Sequence, residues 1–292
     1  MRWVVADRRA AAPLLVGLVL AACSAGAAVA PEVTVTGDAD EAPTVTYLTP
    51  LGVEETYREV IWPGTGDELV DGAPVLIDFW LEDASDATLV KESYSTSPTP
   101  RMLTLDDLGT DLYGTLLGQH VGARLLQVAP GGTGAEYPTV TVIDVLPTRA
   151  VGETLTPDPA LPVVTEGEGG TFTLTPTGTP PPDRLTVEPL VRGAGTQVAS
   201  GDVITVHYAG FAWDDGVLFD STWQQVLPVS FLLSDVPSWA EGLVDQPAGS
   251  RVMLVVPPTY ALGVTDSEEL AGKTVVFVID ILATGRPEQV TP

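Results

Sequence analysis

At 292 residues the chain exceeds one ordinary domain, and its formal net charge of −26 sets its surface against nucleic acid and anionic lipid. Hydrophobic residues reach 45%, enough for real cores, whereas 29 glycines, 26 prolines and short Val-, Thr- and Ile-rich runs exclude a protein of long helices. A single cysteine excludes any disulfide within the chain.

Arg2, Arg8 and Arg9 precede the apolar run Ala10 to Ala22, which is too short for a comfortable membrane span and reads as a signal peptide over 1–22. Leu20-Ala21-Ala22-Cys23 follows, a lipobox-like pattern in which small residues suit a peptidase cleft and the Cys23 thiolate takes up lipid. Acyl chains bury about 0.8 kcal/mol per CH₂, so lipidation at Cys23 would hold the protein on the extracytoplasmic face of the cell membrane. Residues 23–50 then read as a flexible, acidic tether with room for a short leading strand.

Beyond the tether the sequence repeats itself once, with a period of about 130 residues. Gly64-Thr65-Gly66 and Gly72 match Gly193-Ala194-Gly195 and Gly201, and the strand Val75 to Phe79 matches Ile204 to Tyr208. Gly122-Ala123-Arg124 matches Gly249-Ser250-Arg251, each leading into an apolar strand that stops at Pro130 or Pro257. Val142 to Leu146 matches Val278 to Leu282. Two domains follow, 51–147 and 185–286, with a tail at 287–292. Between them, 148–184 carries Pro157, Pro159, Pro162 and the run Pro180-Pro181-Pro182, which favours an extended, semi-rigid linker. Its middle, Val163 to Thr175, is similar to Val33 to Thr46, so each domain is expected to carry a leading strand.

In the second domain, alternation predicts strands over Val203–Tyr208, Val229–Leu233, Arg251–Val256 and Thr274–Leu282. One short helix is predicted over Pro237–Val244, with Pro237 in the first turn and Asp235 as its cap. Trp239 and Leu243 share a face that must be buried, because so short a helix is not stable alone.

Motifs in this half follow one another in a fixed series. His207-Tyr208-Ala209-Gly210, Phe219-Asp220-Ser221, Trp239 with Glu241-Gly242-Leu243, Gly249-Ser250-Arg251, Pro257-Pro258-Thr259-Tyr260 and Val276-Phe277-Val278-Ile279-Asp280-Ile281-Leu282 all occur within about 100 residues. The series resembles the FKBP-type peptidyl-prolyl cis-trans isomerases. The resemblance implies an α+β fold, a twisted antiparallel sheet wrapped around one short helix, here twice in tandem. It implies a pocket with Trp239 as floor and Tyr208, Phe219, Phe231 and Phe277 as walls. Asp220 would sit by the substrate carbonyl carbon, and the Val236 N–H would meet a ligand oxygen. Val229, Tyr260 and Leu262 would complete the substrate contacts. Without the resemblance, Trp239, Phe219 and Phe277 would read as ordinary core, and His207 reads as structural.

Departures from the family are visible too. Leu262 replaces a tyrosine, Gln225 replaces a basic residue, and Val264 to Lys273 is short and acidic. The first domain departs further, with Val90, Lys91, Leu112 and Thr141 standing for Phe219, Asp220, Trp239 and Phe277, so it reads as a structural or partner-binding copy. The leading expectation is a membrane-anchored, monomeric isomerase acting on X-Pro bonds of exported polypeptides, without cofactor, metal or nucleic acid. The alternative is a non-catalytic binding or chaperone lipoprotein of the same fold. A solute-capturing lipoprotein lacks the long α/β lobes it would need.

Overall fold

The computed structural model describes residues 30–39, 41–132, 135–167, 170–262 and 268–287. The expected signal peptide, Cys23 and the residues after 287 lie outside them. In chain order the elements are β1 (Val33–Thr36), β2 (Thr44–Tyr47), β3 (Tyr57–Trp62), β4 (Pro74–Asp83), β5 (Thr88–Glu92), β6 (Thr99–Met102), α1 (Leu105–Leu116), β7 (Arg124–Ala129) and β8 (Thr139–Leu146). There follow β9 (Glu153–Thr154), β10 (Val163–Glu166), β11 (Phe172–Thr175), β12 (Thr186–Arg192), β13 (Val203–Ala212), β14 (Leu218–Ser221), β15 (Val229–Leu232), α2 (Pro237–Gly242), β16 (Arg251–Val256) and β17 (Val275–Gly285).

Two antiparallel sheets carry the repeat. The first runs β3-β7-β8-β4-β5 with β6 also paired to β4, and the second runs β12-β16-β17-β13-β14 with β15 also paired to β13. Strand β9 extends the second sheet beside β12. Register agrees along with order: Phe79 lies opposite Ile143 as Tyr208 lies opposite Ile279, and Leu81 lies opposite Thr141 as Gly210 lies opposite Phe277. Arg124 lies opposite Asp144 as Arg251 lies opposite Asp280.

Every residue of β7 and of β16 is buried, because each strand is covered on both faces. On one face of β16, Val252, Leu254 and Val256 meet Trp239 and Leu243 of the helical side. On the other, Met253 and Val255 meet Phe172 and Leu174 of a two-stranded hairpin, β10-β11. The first sheet is covered likewise, by β1-β2, whose Val33, Val35, Val45 and Tyr47 pack on Leu126, Val128, Val140 and Val142. Burying each such side chain contributes about 1.5–3 kcal/mol, which is how four-residue strands hold their place.

A buried arginine ties each hairpin to its sheet. The Arg124 guanidinium donates to both Asp144 carboxylate oxygens (2.6 and 2.5 Å) and to the carbonyls of Gly37, Asp38 and Glu41, and lies 4.4 Å over Trp62. Arg251 donates to both oxygens of Asp280 (2.6 and 2.8 Å) and to Glu166, and lies 4.5 Å over Phe172. In each half one cation satisfies a buried carboxylate and closes the hairpin loop.

These hairpins correct the expectation of an extended linker over 148–184. Its prolines do punctuate the chain, but Leu161, Phe172 and Leu174 between them are buried on the second sheet. The tether at 23–50 is likewise structured over β1 and β2, as a hairpin rather than a single leading strand. A third correction concerns the helix: Asp235 does not cap α2. Residue Val236 (φ −125°, ψ 89°) is its N-cap without a side-chain bond, and Asp235 lies in the preceding 3₁₀ turn.

The first half's helix, α1, is expected from the tandem resemblance but without bounds, and it includes Leu112, the residue standing for Trp239. Its N-cap Thr104 accepts from the Asp107 N–H, and the helix breaks at Gly109 (φ 68°, ψ 170°), a conformation that favours glycine. The second half repeats this shape, as the 3₁₀ turn Leu233–Asp235, a break at Val236 and then α2.

Candidate functional site

Trp239 is completely buried on α2 and is the hub of an aromatic cluster. Tyr208 on β13, Phe231 on β15 and Phe277 on β17 each meet it edge to face, at centroid distances of 5.2, 5.7 and 5.4 Å and interplanar angles of 76°, 77° and 78°. Phe219 on β14 joins through Phe277, at 5.8 Å and 84°. Such geometry sets ring edges against negative π faces, and each pair contributes about 0.5–1.5 kcal/mol beyond burial. The Trp239 indole N–H is buried without a hydrogen-bond partner among the described residues. An orphan donor of this kind costs about 1–3 kcal/mol, a cost that core packing alone gives no reason to carry.

A single glycine lets these rings converge. A Cβ on Gly210 would come within 2.6 Å of the Phe219 ring and 3.1 Å of the Phe277 ring, so the two rings cross β13 only because no side chain stands there. The first sheet has Leu81 at the same register position.

Half-buried Asp220 is held by the Tyr208 hydroxyl, which donates to its Oδ2 at 2.5 Å. Burial first, then the bond to Asp220 and its charge, push the Tyr208 phenol well above its ordinary pKa. The phenol therefore stays a donor, and the carboxylate keeps one orientation at the rim of an apolar cluster.

The remaining expected contacts are placed unevenly. Leu262 is buried in the cluster that holds Tyr208 and Trp239, and Val229 packs partly buried against it. Val236 is buried, and its N–H donates to the Leu233 carbonyl at 3.3 Å, a long bond that a better acceptor could replace. Tyr260 turns its hydroxyl outward to Glu241 (3.0 Å), away from the cluster. Most of the acidic stretch after Leu262 lies outside the described residues.

A supporting layer behind the site was not singled out in the sequence. Thr222, directly after Phe219-Asp220-Ser221, accepts the Tyr208 backbone N–H at 2.9 Å and pairs with His207 Nδ1 at 2.9 Å. His207 stacks on Trp223 at 4.0 Å and 18°. Gly170 of the covering hairpin lies so close to Trp223 that a Cβ there would fall within 2.6 Å of the indole. The hairpin thus buttresses the turn that directly follows β14 and its Asp220. Burial, then the charge of Arg149, pushes the His207 pKa down to about 4, consistent with a structural imidazole that stays neutral. The available signal was a threonine and a tryptophan directly following Phe-Asp-Ser.

No group of three or more His, Cys, Asp or Glu residues among those described could hold a metal ion. Chemically the cluster offers an apolar floor, aromatic walls and one oriented carboxylate, with no nucleophile set beside a base.

Comparison with known proteins falls on the same part of the chain. The family model described as FKBP-type peptidyl-prolyl cis-trans isomerase matches residues 195–282. The Probable FK506-binding protein of Corynebacterium glutamicum is 34% identical over 106 residues, covering 36% of this chain and 90% of that protein. The FK506-binding protein of Streptomyces anulatus is 31% identical over 114 residues, covering 37% and 91%. Among solved structures, FkpA from Escherichia coli matches at 27% identity and a TM-score of 0.33, over 43% of this chain and 53% of that one.

Proposed function

The chain belongs to the FKBP-type peptidyl-prolyl cis-trans isomerases, and from that premise we propose that the cluster around Trp239 is its working site, acting on X-Pro bonds of exported polypeptides. The observation that carries the reading is the convergence of three aromatic rings on buried Trp239, with Phe219 joining through Phe277 across Gly210, beside an Asp220 fixed by Tyr208.

Rotation about a peptide bond faces a barrier of about 18–20 kcal/mol because amide resonance is lost at the midpoint. The twisted amide is less charge-separated than the planar one, so an apolar, aromatic-walled cleft favours it. Lowering the barrier by about 4 kcal/mol speeds rotation about a thousandfold. In this reading Trp239 is the floor on which the proline ring rests, and Tyr208, Phe219, Phe231 and Phe277 wall it in. Asp220 faces the substrate carbonyl carbon, and the weakly engaged Val236 N–H takes a substrate oxygen. Val229 and Leu262 line the rim, and Tyr260 contributes to the outer wall through its ring.

The two halves are read as tandem FKBP-like domains, 51–147 and 185–286, because strand order, register, helix break and arginine position repeat between them. Only the second half has the aromatic set. The first half is the non-catalytic copy, with Leu81 in place of Gly210 and Thr141 in place of Phe277.

Action on exported chains rests on the amino terminus: a signal peptide over 1–22 and lipidation at Cys23 would place the protein on the extracytoplasmic face of the membrane. Two experiments separate these claims. A protease-coupled proline-tetrapeptide assay on the full chain should give accelerated isomerisation, and no acceleration would sink the catalytic reading. Replacing Cys23 with Ser should move the protein from the membrane to the soluble fraction, and equal retention would sink the anchoring.

A further inference from the structure

The first half also contains a cleft, and it occupies the same place in its sheet. A cavity of about 620 Å³ lies between β7, β8 and α1, lined by Leu81, Leu112, Gln127, Thr139 and Thr141 and by the helix break at Gly109. In the second half the equivalent positions are Gly210, Trp239, Leu254, Val275, Phe277 and Val236, and every side chain among them is buried and apolar. Three inward-facing apolar residues of one sheet are therefore Gln, Thr and Thr in the other. A sheet face turned toward its own helix needs only apolar side chains, and polar groups there cost stability unless something bonds them.

The polar groups are organised and carry no net charge. Thr115, at the place of Gly242, shares its one hydroxyl proton between the Asp111 carbonyl (2.8 Å) and the amide of buried Gln127 (2.6 Å), and accepts from Arg58 Nε at 3.0 Å. Asp111 accepts from Thr56 (2.6 Å) and is paired with Arg58 (3.3 Å), so its charge is met within the protein. Gln127 offers a ligand the end of its amide that Thr115 does not engage, and Thr139 and Thr141 offer hydroxyls that donate or accept. The lining thus combines leucine side chains with uncharged hydrogen-bonding groups, the pattern that matches alternating side chains and amides of an extended chain.

We propose that this cleft binds an extended, uncharged, proline-free segment of a polypeptide, so that the first half holds a client beside the isomerase site. A charged ligand would find only Asp111, whose charge Arg58 already meets, and a proline ring would find neither Trp239's indole nor the crossing rings of the second half. The proposal rests on the correspondence of the two halves argued above, but its test does not depend on catalysis.

The probe is a fluorescein-labelled ten-residue peptide of Ala, Ser, Thr and Val, titrated into the full chain and followed by anisotropy, with proline isomerisation measured on the same samples. Saturable binding is expected. Thr141→Phe, which installs the ring of the second half, and Gln127→Leu should each weaken it about tenfold while leaving the isomerisation rate unchanged. Thr141→Ser, which keeps the hydroxyl, should bind like the parent, separating a lost contact from a distorted sheet. Phe219→Val should not affect peptide binding. Absent binding, equal binding by Thr141→Phe and Gln127→Leu, or a loss caused by Phe219→Val would each overturn the proposal. None of these outcomes bears on whether the second half is catalytic.

Discussion

The two sheets of this protein are built to one plan and filled differently, and the contrast separates what the fold requires from what the site requires. Both halves keep the strand order, a helix interrupted at one residue, a buried arginine paired with the aspartate across the strand, and a hairpin on the outer face. These shared features are structural. The second half alone has Trp239, the Gly210 gap and the Tyr208–Asp220 bond, where the first has Leu112, Leu81, and Phe79 with Lys91. A residue present only in the second set is therefore a candidate for chemistry.

The contrast can be broken most severely at its hub. Trp239→Ala should destabilise the second half by about 3–5 kcal/mol, since the ring is fully buried, and should remove most of the isomerase rate. Half-buried Leu112→Ala should cost less and leave the rate intact. Denaturant unfolding with a parallel activity assay reads both.

The arginines are the next point of comparison. Arg251→Met leaves the buried Asp280 carboxylate without its counter-charge and with only the Ala150 N–H, so a loss of about 3–5 kcal/mol is expected, and Arg124→Met should cost about the same for Asp144. The consequences for the hairpins should differ. Glu166 can still reach Arg149 at 3.2 Å, whereas the loop carbonyls of the first hairpin lose their donor. Hydrogen exchange should therefore rise more in β1-β2 after Arg124→Met than in β10-β11 after Arg251→Met.

His207 supplies an effect confined to one half, because its counterpart is Asp78. Its folded pKa of about 4 lies below the ordinary 6.5, so the unfolded chain binds the proton first as pH falls. Stability from this group is intact above about pH 6.5 and falls between there and about pH 4, by about 3 kcal/mol in all. His207→Gln should flatten the slope of stability against pH between 7 and 5, and an unchanged slope would contradict the assignment.

The smallest expected change is Tyr208→Phe, which gives the second half the first half's residue. Losing one hydrogen bond to a carboxylate should slow isomerisation about tenfold with little effect on folding. No change in rate would mean that Asp220 is oriented by something else.

Much of the second half was legible because its residues are there for chemistry and occur as a motif series, and the repeat extended that reading to the first sheet. What stayed hidden has physical reasons. Helix α1 carries Gly109 and Gly114 and spreads its apolar residues across the break, so no helical period survives. The hairpin strands are four residues each and mostly Thr and Val, too short to distinguish from tether. Strands β7 and β16 were legible, but the cover on their outer faces was not: hairpin and helix bury both faces, and a covered outer face cannot be inferred before the cover is known. Asp235 has the chemistry of a cap, but the 3₁₀ turn puts Val236 at the N-cap position instead. Gly210 was read only as a motif letter, and its role as the gap beneath two rings is visible only in space.

The central claim, that isomerase activity belongs to the second half through its aromatic site, is tested most directly by giving that site the first half's residues. The full chain carrying Phe219→Val and Asp220→Lys, assayed with a proline tetrapeptide after circular dichroism has established the native fold, should retain about one hundredth of the parent rate or less, equivalent to a loss of about 3 kcal/mol. Retention of more than half the parent rate in a correctly folded variant would contradict the account.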